Sequence, residues 1–498
     1  MRVRDEDDVG RNAVADPPRV DVHHGSVALP PERRLPEPRD PVEPHLWPPS
    51  IGSLPVVLQI DVAAREPIET QGGLRASVSL LRRNRNFRRL YLASVISLGG
   101  DWFLLIALFG LMLDLTGQAI AVAFTIAAQD LTYFLASPFA GVLADRIDRR
   151  RLMIACDVAR AVLVLGFLLV RTEDLAWLVY VLLAATAVFA AAFEPASMAA
   201  MPNLVDERDL SVANALSGSL WGTMLAVGGA LGGVVAGVFG SDVAIVVDSA
   251  SFVLSALLIL RIHATFAEDR AVHERPSLRQ DTVETFRYAR KDHRVLALLA
   301  VKFGWGIAGG VLVLLPILAL GSFHAGEIGL GLLMAARGVG ALIGPFLGRS
   351  LAGPGDRRLF GAIGGALATF GIGYALLGLA PALVFAMGAV LVAHIGGGAQ
   401  WTLSSYGLQR VVPDRIRGRI FAVDGMLVTL TFGLSAILTG WLADVFTAET
   451  TAFAMGGVAL VWAIVWTLLT GHVRRATMLE GFGPAPELLP EPAEVPSR

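Results

Sequence analysis

The stretch Gly141-Val142-Leu143-Ala144-Asp145-Arg146-Ile147-Asp148-Arg149-Arg150-Arg151 lies between two long apolar runs. A small residue closes the first run. An acid and a cluster of arginines then turn a tight corner into the next. Both neighbouring runs, near 119–143 and 152–171, are long enough to cross a bilayer as helices. A corner this charged between two such runs belongs at a membrane surface.

The same pattern fills most of the chain. Of its 498 residues, 54% are hydrophobic and only 17% charged, and the mean hydropathy is +0.60. Soluble domains carry about 25% charged residues. The apolar excess is concentrated in runs of about 20 residues between Leu90 and Gly471, which is span length. The net charge of −2 points to no nucleic acid or other polyelectrolyte partner. The single cysteine, Cys156, lies inside an apolar run and reads as a small buried hydrophobe; no intramolecular disulfide can form. No apolar core segment opens the chain, so the first span is expected to serve as the targeting signal.

Taken in order, residues 1–73 are rich in Pro, Arg, Asp and Glu and read as a disordered cytoplasmic tail. His23-His24 has no further ligand nearby, so no metal site is expected. In 74–89, arginines alternate with Leu80, Leu81 and Phe87, which predicts an amphipathic helix on the membrane surface. Six spans follow in 90–262 and six more in 295–471, divided by a cytoplasmic loop at 263–294. Its part from Arg279 to Arg294 could form a short surface helix. Residues 472–498 read as a second disordered tail. Loops on one side carry arginine clusters, whereas those near 114–118, 240–242, 321–325, 380 and 445–449 carry no Lys or Arg. Arg171 is the exception. By the positive-inside rule both termini are cytoplasmic, in the inner (plasma) membrane.

The two halves match without gaps at an offset of 207 residues. Pro138-Phe139-x-Gly141 falls on Pro345-Phe346-x-Gly348, and Arg150-Arg151-Leu152 on Arg357-Arg358-Leu359. The expected fold is therefore all-α and integral to the membrane, with about twelve helices as two parallel six-helix repeats. Asp145 falls on Ala352, so the charged corner is complete only in the first half.

At this point the chain resembles the major facilitator superfamily. Gly141, Asp145, Arg146, Arg149 and Arg150 match its motif A, Gly-x-x-x-Asp-Arg/Lys-x-Gly-Arg-Arg/Lys, with Asp148 in place of the second glycine. Arg82-Arg83-Asn84-Arg85-Asn86-Phe87-Arg88-Arg89-Leu90, Ser97-Leu98-Gly99-Gly100-Asp101, and Pro202-Asn203-Leu204-Val205 with Ala213-Asn214-Ala215 look like the drug–proton antiporter branch that includes macrolide and enterobactin exporters. Gly228, Gly229, Gly232 and Gly233 in span five resemble the end of that branch's motif C, with Gly229 where proline is expected. Close helix packing through small residues explains them equally well. The resemblance implies that the motif A aspartate meets the positive end of span eleven and acts as a conformational gate. Positive-inside anchoring alone explains the arginines but not Asp145.

Ionisable residues at bilayer depth are expensive and functional by default. Asp101 lies about 16 Å into span one at helical rise. Asp130 is equally central in span two, and Glu194 sits before Pro195 in span four. The resemblance places Asp101, Glu194, Lys302, His394 and Trp401 near the central cavity. Asp157 and Arg160 are three apart and can satisfy each other. Snorkelling or capping could account for Asp248 and Asp424. Asp130 could instead lock onto Arg337 between the halves. Desolvation penalises a buried carboxylate's charge, which gives Asp101 or Glu194 the chemistry that proton coupling needs.

The reading that follows is a secondary active transporter without cofactor. Its partners are a small-molecule substrate, protons and the lipid bilayer, and it is expected to be a monomer. Proton-coupled efflux of amphipathic molecules of drug or siderophore type fits first. An uptake symporter of the same fold and a non-transporting receptor or scaffold are the alternatives. No Gly-x-x-x-x-Gly-Lys-Ser/Thr loop exists for ATP drive, and no catalytic cluster suggests an enzyme.

Overall fold

The computed structural model describes residues 74–263, 285, 287–353, 356–480 and 482, with side chains at all of them except 141, 142, 144–146, 414, 415 and 480. The expected N-terminal tail, most of the 263–294 loop and the end of the chain lie outside these residues. Among the described residues, twelve helices are long and apolar enough to cross a membrane. In the first half they are Arg85–Thr116, Ala119–Ala140, Arg149–Leu169, Glu173–Asn203, Glu207–Phe239 and Ser241–Leu260. In the second half they are His293–Ser322, Gly326–Ala352, Leu359–Leu377, Leu383–Val411, Ile416–Val445 and Ala448–Leu469.

Short polar devices mark the span ends. The Asn84 carboxamide accepts from the Phe87 N–H at 2.9 Å and starts span one; Gly117, at φ 65°, ends it where a β-carbon would be strained. Asp292 caps span seven and Thr447 caps span twelve. Asp148 caps span three by accepting from Arg151 N–H at 2.9 Å. Its φ of −53° explains why the glycine usual at this motif position is dispensable here.

The packing reproduces the repeat. Spans one and five pair as seven and eleven do, two and four as eight and ten, three and six as nine and twelve. Span two packs on span eleven across the halves, and span eight on span five. The matched Phe139 and Phe346 are 76% and 78% exposed, so equal sequence positions occupy equal environments.

Span seven departs from a regular helix. It passes through a 3₁₀ turn at Gly310–Val313 and a π turn at Ile317–Ser322, around Pro316. Ser435 of span eleven donates to Ile307 O and accepts from Gly310 N, repairing the backbone where the helix changes pitch. Gly310 permits this approach, because a β-carbon there would collide with the Ser435 backbone.

The distribution of core is asymmetric. At the arginine-poor end one apolar core draws on both halves, including Phe109, Met112, Leu315, Leu318, Leu330 and Ala436. At the arginine-rich end each half keeps its own. Leu152, Met153 and Phe193 belong to one, and Leu298, Leu403 and Ile416 to the other.

Outside the spans, Leu74–Arg83 forms a helix whose Leu80 is buried with Phe87, Met201 and Ala213. Arg83 pairs with Asp209, and the Asn84 amide donates to Leu204 O at 2.6 Å. The reading of 472–498 as a disordered tail is corrected over its first part. Gly471–Glu480 is helical, and Phe482 is buried against Phe360, with its carbonyl held by Arg410 at 3.1 Å.

Candidate functional site

Polar side chains at mid-depth form three groups. The first lies within the N-terminal half. Asp157 accepts from Arg160 at 2.6 Å and from Ser255 at 2.6 Å. Arg160 stacks over Phe252 and Phe193, at 4.2 and 4.8 Å from their ring centres. Asp101 of span one follows Gly100, where a β-carbon would collide with Ser251 and Asp248 of span six. Asp248 of span six thus lies against span one. Its carboxylate is 0% exposed and accepts from Ser251 at 3.3 Å, leaving Oδ2 without a partner. Snorkelling does not account for Asp248, because the tertiary packing of spans one, three and six encloses it. Arg160 therefore has one acid in contact, Asp157, with Asp101 and Asp248 on the neighbouring spans one and six. Among the described residues, no His, Cys, Asp and Glu side chains group as metal ligands.

The second group joins the halves. Arg337 of span eight is 5% exposed. Its guanidinium carbon lies 5.9 Å from the Trp102 ring centre and 5.6 Å from that of Trp221, on spans one and five. Asp130 of span two lies beside Gly433 of span eleven, and no ion pair joins it to Arg337. The expected Asp130–Arg337 lock is not formed as an ion pair in this structure. Behind Arg337, His394 Nε2 and the Tyr374 hydroxyl share a 2.7 Å hydrogen bond.

The third group lies within the C-terminal half. Lys302 pairs with Asp424 and donates to Ser405 at 2.9 Å. Its ammonium also rides 4.3 Å over the Trp401 ring. Asp424 is 1% exposed and holds a buried lysine, so it does not snorkel either. Trp305 stacks on Phe432 at 5.5 Å and meets Trp401 edge-on at 5.6 Å, making this wall aromatic. Glu194 stands apart from all three. It is exposed on span four and accepts from the Tyr133 hydroxyl at 2.5 Å. Asp101 and Glu194 therefore belong to different surroundings.

The glycines of span five face a tight junction. A β-carbon at Gly228 or Gly232 would press on Trp102 and Phe103 of span one. One at Gly229 would approach Met334 at 2.8 Å, and one at Gly233 the Gly331 backbone at 2.7 Å. They hold spans one, five and eight together beside Arg337.

At the arginine-rich corners, Arg149 donates to Ala199 O at 2.8 Å and Arg150 to Leu260 O, tying span three to the ends of spans four and six. Gly141, Asp145 and Arg146 lie in helix, and their side chains fall outside those described. The matching corner of the second half is not empty. Asp356 accepts from the Tyr406 hydroxyl at 2.6 Å and pairs with Arg349, with Arg410 at 3.6 Å. Burial alone would raise its pKa, but the tyrosine and the two arginines hold it below the usual carboxylate value. The sequence match missed it because the acid has moved to the far side of the turn.

A second missed acid sits at the arginine-poor end. Gln118 provides no side-chain cap for span two. Asp444 of span eleven accepts from Ala119 N at 2.7 Å and Ile120 N at 2.9 Å instead, bridging the halves. Arg171, the exceptional arginine of this end, is neutralised by Asp242 at 2.7 and 3.0 Å.

The chain is similar to macrolide efflux protein A of Streptococcus pyogenes, 24% identical over 367 residues that cover 72% of this chain and 89% of that protein. It is also similar to the multidrug efflux pump Tap of Mycolicibacterium fortuitum, 24% identical over 391 residues, 76% of this chain and 94% of that one. Its fold matches the crystal structure of a bacterial homologue of the human lysosomal transporter Spinster, inward-facing and unoccupied. The TM-score is 0.64 at 15% identity, covering 81% of this chain and 100% of that one. Residues 77–480 match the family described as transmembrane secretion effector. With twelve spans in two parallel repeats and this match over most of its length, the chain is a transporter of the major facilitator type and belongs to the transmembrane secretion effector family.

Proposed function

We propose that the protein exports amphipathic small molecules from the cytoplasm by alternating access, driven by proton entry. The observation that carries this reading is the uneven core. The halves share one apolar core at the arginine-poor end and keep separate cores at the arginine-rich end. That arrangement suits a carrier caught open toward its arginine-rich face, which the positive-inside rule makes cytoplasmic, with both termini on that side. The names of the relatives favour efflux over uptake. Carboxylates are available for the proton. Asp101 and Asp248 lie in apolar spans with no ion-pair partner among the described residues, and Glu194 is exposed. In this reading the arginine corner, with Asp145, sets the balance between conformers, and the protein works as a monomer in the inner membrane.

The test uses inside-out membrane vesicles containing the full-length protein. The vesicles are energised, the pH gradient is followed with a quenched dye, and a panel of dyes, macrolides and iron chelators is added. Substrate-evoked proton release that disappears in Asp101→Asn or Glu194→Gln is expected. Accumulation of substrate with no proton movement in the wild type would refute proton coupling.

A further inference from the structure

Arg337 is the buried charge that neither half has satisfied. A guanidinium offers five N–H donors and no acceptor. Among the described residues Arg337 makes no hydrogen bond and no ion pair, and its Nε is sealed from solvent. The other buried cations of the spans contrast with it: Arg160 has Asp157, and Lys302 has Asp424 and Ser405. Leaving a buried charge unpaired costs more than either arrangement. Such a residue is poised for a partner that comes from elsewhere.

Its surroundings describe that partner. The guanidinium projects from the C-terminal half toward the N-terminal half, where Trp102 and Trp221 face it. Its 5.6 and 5.9 Å separations from the indoles exceed the 4.2 Å at which Arg160 rides on Phe252. The rings flank the charge without closing on it. Trp102 Nε1 is a second buried donor with no acceptor. Two unsatisfied donor groups beside two aromatic faces complement an oxyanion carried on a flat apolar body.

We propose that Arg337, with Trp102 and Trp221, binds the anionic group of the transported molecule, so that the substrates are amphipathic organic acids. This rests on the transport reading above and narrows it to one charge class. Asp130 is the built-in competitor for the same guanidinium. Its carboxylate opposes the incoming anion.

Binding without any gradient separates this proposal from proton coupling. The probes are 1-pyrenebutyrate and 1-pyrenebutylamine, which share an apolar body and carry opposite charges. Their fluorescence anisotropy is titrated against purified full-length protein in nanodiscs. A charge-assisted pair in a buried site predicts about tenfold or greater preference for the carboxylate. Arg337→Gln should erase the preference, and Arg337→Lys should keep part of it. Asp130→Asn should tighten butyrate binding several-fold, while Trp221→Ala should weaken both probes equally. Equal or tighter binding of the amine by the wild type overturns the proposal, whether or not the variants fold. So does a preference that survives in folded Arg337→Gln. Proton release evoked in vesicles by the amine alone would leave the exporter reading standing and remove this one.

Discussion

Replacing Asp444 by alanine should release the arginine-poor end of the transporter. The carboxylate is the side chain that satisfies two N–H groups at the start of span two, and it reaches them from the opposite half. Separating the halves at this end must break both bonds. A hydrogen bond to a charged acceptor is worth about 1.5–3 kcal/mol when buried, and the helix dipole adds about 0.3–1 kcal/mol. Asp444 is exposed, so screening reduces the whole contact to about 1–2 kcal/mol. That corresponds to roughly 5- to 30-fold in the ratio of closed to open conformers. Nitroxides on Thr172→Cys and Ala382→Cys, which are exposed at this end on opposite halves, would report it by double electron–electron resonance. The buried Cys156 would first be changed to serine. Asp444→Ala should enlarge the long-distance population by that factor, with Asp444→Asn between alanine and wild type. A distance distribution unchanged by Asp444→Ala would refute the latch.

Three further outcomes follow from the packing. Removing the Lys302 side chain strands Asp424 in the C-terminal half, so Lys302→Ala should cost about 3–5 kcal/mol in a detergent melt, with Lys302→Gln/Asp424→Asn recovering most of it; an unstable double variant would contradict the pairing argument. Gly233→Ala pushes a methyl group into the Gly331 backbone and should lower expression and thermal stability, whereas Gly218→Ala, which meets nothing within 4 Å, should leave both unchanged; similar melts for the two would count against the junction. Asp356→Asn should cost about 1–2 kcal/mol at neutral pH, discounted because Arg349 and Arg410 are half exposed. Since Asp356 is held below its unfolded value, its contribution is present above that value and is lost as the pH falls through its own lower pKa. The two proteins should therefore converge in acid, and a gap in melting temperature that widens with acidification would reverse the sign of the argument.

Much of the transport body can be read directly from the chain. Apolar runs of bilayer length, arginines confined to alternate loops and the 207-residue offset are local or periodic signals. Each reports the physics of one segment against lipid or water. The individual candidates were legible as types, because any ionisable residue in an apolar run stands out. Their partners were not. Asp248 and Asp424 look like end-of-span acids until spans one, three and six enclose the first and Lys302 closes on the second. Asp356 and Asp444 lie at loop boundaries, where acids are commonplace. What distinguishes them is contact with Tyr406 and Arg349 in one case and with the bare start of span two in the other.

The sequence by itself thus determined the membrane environment, the number of spans, their division into two parallel repeats and the family resemblance. All of these follow from transfer free energies and periodicities that act within tens of residues. Only the tertiary structure decided which charges are paired, that Arg337 meets two tryptophans between the halves but no acid or hydrogen-bond acceptor among the described residues, and that the shared core lies at the arginine-poor end. Those properties depend on contacts between residues more than 100 positions apart, such as Lys302 with Asp424 and Ala119 with Asp444. Hydropathy measures how a side chain prefers lipid to water, and carries no information about which distant side chain it will meet.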